Sequence, residues 1–157
     1  MNTALFIGRF QPFHNGHLSV WQDICNNLEV DQIIIGIGSS QYADTEDNPY
    51  SIEIREQMIK LVGDNEMANC NKKYTIVPIP DIHDNNNWVN HVKNIVGDFN
   101  LVYTGNELVA KLFKEKKYSV EQVKMQTGIS GTKIREMIKN NDQSWKENIP
   151  SSTINLL

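Results

Sequence analysis

The sequence predicts an α/β fold, an open parallel sheet with helices on both faces, built as a single domain over residues 1–157. Two observations predict it. Short apolar runs alternate with segments whose apolar residues recur at helical spacing, the pattern of a parallel sheet covered on both sides. The chain also lacks internal repeats, low-complexity tracts and linkers, and 157 residues suffice for one core.

In order, Thr3–Gly8 is an apolar run closed by glycine and reads as a buried strand. Leu18, Trp21, Ile24, Cys25 and Leu28 then recur at helical spacing. Gln32–Ile37, rich in β-branched residues, reads as a strand buried on both faces. Gly36 and Gly38 open a polar loop that runs to Pro49, and Ser51 caps a helix carrying Ile54, Met58 and Leu61. Tyr74–Ile79 is a third strand, with Pro78 and Pro80 marking its end. The stretch Asp84–Asn87 reads as a loop, Trp88–Val96 as a helix and Leu101–Thr104 as a fourth strand. Glu107–Phe113 reads as a helix, Val120–Met125 as a fifth strand, and Thr132–Ile138 and the segment from Ser144 as helices.

Composition narrows the function. Fifteen Lys and Arg against nineteen Asp and Glu give a net charge of −4, without the basic excess of a protein that grips nucleic-acid backbone. No apolar stretch is long enough to span a membrane, and the start, MNTALFIGRF, lacks the features of a signal peptide. Cys25 and Cys70, isolated and outside any C-x-x-C, read as reduced thiols of a cytoplasmic protein.

The chemistry concentrates in Gly8-Arg9-Phe10-Gln11-Pro12-Phe13-His14-Asn15-Gly16-His17, where the first strand gives way to the first helix. Ligands of open parallel sheets bind at the carboxyl ends of strands, and helix N-termini attract anions. His14 and His17 fall on one face of the starting helix, Gly16 leaves room for close approach, and Arg9 supplies a planar cation suited to phosphate. These residues read as a phosphate site with two titratable donors. Zinc is the weaker alternative, because His83 and His91 stand in no ligand-like spacing to the first pair. Core packing of both histidines is another, set against the glycine, proline and arginine around them. Neither a G-x-G-x-x-G fingerprint nor a G-K-[ST] loop is present.

With PFHNGH near one end and Ile129-Ser130-Gly131-Thr132-Lys133-Ile134-Arg135 near the other, the chain resembles the HxGH nucleotidyltransferase superfamily. The GRFQPFH form, with IGIGSSQ at Ile35–Gln41, the Asp81-Ile82 to Trp88 loop and VYTGNELV at Val102–Val109, is similar to the archaeal nicotinamide-mononucleotide adenylyltransferase family. That resemblance implies a Rossmann-like sheet and adenylyl transfer from ATP to nicotinamide mononucleotide, giving NAD and pyrophosphate. Mg²⁺ would travel with the triphosphate, with no metal ligand assigned to a protein side chain.

The resemblance implies that Gly8, Arg9, Phe10 and Gln11 wrap ATP, and that His14 and His17 hold its triphosphate and stabilise the transition state. It gives Ser130, Gly131, Thr132 and Arg135 a second phosphate element, with Arg9 and Arg135 on the β- and γ-phosphates. It places Gly105 and Asn106 beside adenine, Trp88 on the nicotinamide ring and Asn85 near its carboxamide. A homo-oligomer and a cytoplasmic site are implied too. Trp88 as a core anchor and Arg135 as a solvated helix charge remain the plainer readings. Tyr42–Asp47 departs from the family, being acidic where many relatives are basic. Two other readings stay open: transfer to pantetheine phosphate, a flavin nucleotide or a polyol phosphate, and an inactive nucleotide sensor.

Overall fold

The computed structural model describes residues 1–123 and 128–157. β1 (Thr3–Gly8) is the middle strand of a five-stranded, all-parallel sheet. β2 (Gln32–Ile37) and β3 (Lys73–Pro78) extend it on one side. β4 (Leu101–Thr104) and β5 (Ser119–Gln122) extend it on the other, giving the order β3-β2-β1-β4-β5. Thr3 pairs with Gln32 and Gly8 with Ile37, so β1 and β2 run level to their carboxyl ends. The chain winds outward through β2 and β3, then crosses to β4 on the opposite side of β1. Such a reversal leaves a crevice beyond the strand ends.

Residues alternate across β1 as a doubly covered strand requires. Ala4 and Phe6 join Ile33, Ile35 and Ile37 beneath α1 (Asn15–Asn26) and α2 (Ile52–Asp64), where Trp21, Ile24, Met58, Ile59 and Val62 fill the core. Leu5 and Ile7 face α3 (Asn85–Val96) and α4 (Glu107–Glu115), against Val89, Val92, Val102 and Phe113. A third cluster, Ile134, Trp145 and Ile149, ties α5 (Gly131–Lys139) to two 3₁₀ segments, Gln143–Asn148 and Ser151–Leu156. The last of these is fastened to the end of α2 by Ser152, whose N–H and hydroxyl both donate to Glu66 (3.0 and 2.6 Å).

Several expectations are corrected. Leu28 lies beyond α1 and is 97% exposed, because the helix stops at Asn26 and the chain turns to reach β2. The stretch Asp84–Asn87, expected as a loop, starts α3: the Asp84 carboxylate accepts from the Asn86 N–H and the Asn87 amide, supplying an N-cap. β5 spans Ser119–Gln122; Lys124 and Met125, in the expected strand, lie outside the described residues. Cys25 and Cys70 are not separate thiols but form a disulfide, with Cα atoms 5.9 Å apart. It joins the last turn of α1 to the loop after α2, where the Lys72 ammonium also donates to the carbonyls of Ile24 and Asn27. Among the described residues no helix is long and apolar enough to cross a membrane.

Phe113 is fully buried, with Trp88, Phe99 and Tyr118 packed edge-on or tilted against its ring at 5.5–5.8 Å. Phe113→Ala should lower the unfolding free energy by about 3–5 kcal/mol, measured by urea denaturation. A loss below about 1 kcal/mol would mean that this cluster does not hold α3 and α4 to the sheet.

Candidate active site

The crevice at the carboxyl ends of β1 and β4 is a cleft of about 470 Å³. Gly8 and Arg9 line it from the end of β1, Gly38 and Ser39 from the end of β2, and Thr104, Gly105 and Asn106 from the end of β4. Asn85 and Trp88 of α3 form one wall, Leu108, Val109 and Leu112 of α4 another, and Ser130 and Gly131 close it at the start of α5.

The two histidines start α1 and cap it. His14 is the N-cap, extended at φ −134°, and its Nδ1 accepts from the Gly16 N–H (3.1 Å). His17, three residues on, returns its own Nδ1 to the His14 N–H (3.1 Å). The pair forms a capping box made of imidazoles. Their rings stack with centroids 3.7 Å apart, and Phe6, Phe10 and Phe13 enclose His17. Because each Nδ1 is an acceptor, each neutral ring carries its proton on Nε2. Burial lowers the pKa of His14 from 6.5 to about 4, and burial with the charge of His14 pushes His17 well below 6.5. Near neutral pH both are uncharged Nε2–H donors. His17 lines the cleft, whereas His14 is buried behind it.

The arginines differ in placement. Arg9 extends into the cleft, steadied by its Nη1–H donating to the Asn48 side chain (3.2 Å). Arg135 donates from Nη1 to the Gln11 carbonyl (2.7 Å) and from Nη2 to the Thr132 hydroxyl (3.2 Å). Arg135 and Thr132 line an adjoining cavity of about 320 Å³ between α5 and the 45–50 loop. Burial first, and Arg9 second, lowers the pKa of Arg135, so these two guanidinium groups lie within each other's field. α5 meets the turn after β1 closely: a Cβ on Gly131 would lie 3.2 Å from the Gln11 carbonyl oxygen, so glycine permits the approach.

Of the residues marked in sequence, Gly8, Arg9, His17, Asn85, Trp88, Gly105, Asn106, Ser130 and Gly131 meet in one cleft. Phe10 does not, being buried in the aromatic core at φ 55°. Gln11 does not either: its amide donates to the Tyr50 carbonyl and accepts from the Tyr50 N–H (3.0 and 2.9 Å), as a buried amide without water must find both partners. Trp88 combines two placements, lining the cleft and packing on Phe113.

Ser39, Asp81 and Thr104 were missed as cleft residues, although their positions, shortly past β2 and β3 and at the last residue of β4, are the signal that marks such sites. Arg55 was missed as well. It sits four residues after the Ser51 cap, on the buried face of α2 with Met58, Ile59 and Val62. Among the described residues no three His, Cys, Asp or Glu side chains converge as a metal site.

Comparison with known proteins gives three results. The model of the family described as cytidylyltransferase-like matches residues 5–137. The chain is similar to the nicotinamide-nucleotide adenylyltransferase of Methanococcus aeolicus, 46% identical over 98% of this chain and 87% of that one, and to that of Pyrococcus horikoshii, 40% identical over 98% and 81%. It resembles the structure of a bifunctional NMN adenylyltransferase/ADP ribose pyrophosphatase from Francisella tularensis complexed with AMP and a Mn ion. That likeness has a TM-score of 0.68 at 25% identity, over 88% of this chain and 42% of that one. In fold alone it also resembles a Plasmodium falciparum nicotinic acid mononucleotide adenylyltransferase, with a TM-score of 0.67 at 15% identity over 99% and 93%.

The histidine geometry is testable by NMR. Long-range ¹H–¹⁵N spectra should show both rings as neutral Nε2–H tautomers that do not titrate between about pH 5.5 and 8. Titration of either ring near 6.5 would overturn the assignment. The same shift fixes an acid limit on stability. Unfolded His14 takes up its proton near 6.5 and folded His14 only near 4, so the unfolded state binds more protons between them. Stability is therefore intact above pH 6.5 and declines towards pH 4, by about 3 kcal/mol from His14 alone, as read from urea melts across that range.

Proposed function

The chain belongs to the cytidylyltransferase-like family, with the nicotinamide-nucleotide adenylyltransferases, and from that we propose that it transfers the adenylyl group of ATP to nicotinamide mononucleotide. The products are NAD and pyrophosphate. The observation that carries the reading is the meeting, in one cleft, of His17 and Arg9 from the start of the chain with Ser130 and Gly131 from near its end. Two such donor groups on either side of a trough suit a polyphosphate, and Trp88 with Asn85 at the far wall suits a flat pyridinium amide.

In this mechanism the 5′-phosphate of the mononucleotide attacks the α-phosphorus in line, and pyrophosphate leaves. The attacking oxygen is already anionic, so the protein supplies position and charge stabilisation. His17 donates from Nε2 to the α-phosphate as negative charge grows on its non-bridging oxygens. His14, stacked beneath it, holds the ring in place. Arg9 and the amides at the start of α5 take the β- and γ-phosphates, and Arg135 adds its charge from the adjoining cavity. Gly105 and Asn106 border the adenine. Mg²⁺ enters as part of MgATP; Asp81 is the carboxylate lining the cleft, a donor set suited to a hydrated ion carried by phosphate oxygens. The same proposal includes a cytoplasmic site, where these nucleotides occur, and a homo-oligomer, as the family resemblance implies.

Pyrophosphate release from MgATP with nicotinamide mononucleotide, and NAD formed in step, is the direct test. Pyrophosphate released only with another phosphorylated acceptor would overturn the choice of acceptor. His17→Ala should lower kcat by roughly 10²–10³ with little change in the KM for ATP, and near-normal turnover would remove His17 from the mechanism. Trp88→Ala should raise the KM for nicotinamide mononucleotide far more than that for ATP. Equal effects on both would leave Trp88 a packing residue of the Phe113 cluster.

A further inference from the structure

Arg55 is fully buried, and its guanidinium binds backbone carbonyls alone. Nη1 donates to the carbonyls of Arg9 and Gly38, each at 3.0 Å. Nη2 donates to those of Ser39, Ser40 and Tyr42 at 3.2–3.3 Å, and Nε to that of Ser51 at 3.4 Å. Among the described residues no carboxylate forms an ion pair with it. A buried cation without a counter-ion is costly to keep, which calls for a role beyond packing.

Five of these carbonyls belong to the two segments that leave β1 and β2, whose Arg9, Gly38 and Ser39 line the cleft; the sixth is that of Ser51, the N-cap of α2. The residues that follow Arg9 and Gly38 are Phe10 and Ser39. Both adopt left-handed backbone, at φ 55° and 47°, which side chains other than glycine rarely take. In a planar trans peptide the C=O and the next N–H point in opposite directions. Nη1 therefore holds the two carbonyls toward itself and turns the Phe10 and Ser39 N–H groups the opposite way, at the turns where Arg9 and Ser39 line the cleft. Among the described residues neither N–H has a hydrogen-bond partner. Backbone N–H groups fixed in direction in this way present partial positive charge to an anion.

We infer that Arg55 is a positioning residue for the phosphate chemistry: by holding the carbonyls of Arg9 and Gly38–Tyr42, it directs the Phe10 and Ser39 N–H groups at the triphosphate and sets a fixed positive charge behind it. The inference rests on the proposed adenylyl transfer for its polyphosphate, though not for its acceptor. Arg9 itself lines the cleft, and Arg55 fixes the backbone from which Arg9 extends. Lysine cannot replace it, since an ammonium has three donors at one point where the guanidinium has five in a planar fork.

The test starts with wild-type protein labelled with ¹⁵N and titrated with magnesium pyrophosphate. The Phe10 and Ser39 amide protons should move downfield as the site fills. Movement of the Gly131 amide with no movement of these two would overturn the inference. In steady-state assays Arg55→Lys should raise the KM for ATP and lower kcat, each by roughly tenfold or more, with the KM for nicotinamide mononucleotide within about twofold of wild type. Arg55→Gln, which lacks the charge as well, should lose more than Arg55→Lys. A purely structural residue would lower the melting temperature and the active fraction and leave both KM values unchanged, and that result would overturn the inference. If Arg55→Gln does not fold, Arg55→Lys and the wild-type titration decide. If wild-type protein forms no NAD yet pyrophosphate moves both amides, the choice of acceptor fails and the Arg55 assignment stands. If pyrophosphate moves no amide in the cleft, both fall.

Discussion

Two hydrogen bonds at the start of α1, Gly16 N–H to His14 Nδ1 and His14 N–H to His17 Nδ1, govern the rest of the site. A helix start leaves donors that need acceptors, and serine or aspartate usually supplies them. Imidazole acceptors do the same work with a second consequence. The ring nitrogen used in the cap cannot carry a proton, so the other must, and it becomes a donor of fixed direction. The helix thus sets the tautomer of both rings, and the rings begin the helix. Phe6, Phe10 and Phe13 exclude water around His17, which both favours the neutral ring and strengthens any hydrogen bond it donates.

That helix start has to meet elements from distant parts of the chain, and the topology arranges this. β1 is central, with its neighbours β2 and β4 following separate crossovers, so three strand ends open into the same crevice. α5 arrives from beyond β5 and is held by the Arg135 to Gln11 hydrogen bond across 124 residues. The 3₁₀ segments then brace α5 from outside through Ile134, Trp145 and Ile149, and the Asn15 amide donates to the Glu147 carbonyl beside the capped start of α1. Much of the sequence after α5 therefore supports the cleft without lining it.

The strands and most helices were legible because hydrophobic period and burial agree along them; β1 and β2 have the predicted bounds. The site was legible in part for the same reason: glycines, histidines and arginine at a strand end have few structural uses together. What was not legible is direction. Gln11 lies beside Arg9 in sequence, yet its amide faces Tyr50 and Arg9 faces the cleft, a choice made by residues 39 positions away. Thr132 and Arg135 follow Ser130 and Gly131 by less than two helical turns, and that rotation carries them into the neighbouring cavity. Cys25 and Cys70 are 45 residues apart, and no local pattern announces a pairing between the last turn of α1 and the loop after α2 on the same side of the sheet. Arg55 reads in sequence as one more helix charge; only the six carbonyls around it show otherwise.

The balance of charge differs between the chain as a whole and the surroundings of the cleft. The protein as a whole carries −4, while three arginines gather at the turn after β1: Arg9 lines the cleft, Arg55 is buried against the Arg9 carbonyl and Arg135 lines the adjoining cavity. Arg9 opposes the other two: burial first and Arg9 second lower the pKa of Arg55 to about 10, and the same two causes in that order lower that of Arg135. The acidic 42–47 loop borders the adjoining cavity that Arg135 lines, with Glu46 on the Lys139 ammonium at 3.1 Å and Asp47 near enough to stabilise charged Arg135. The loop thus moderates the repulsion among cations without occupying the cleft.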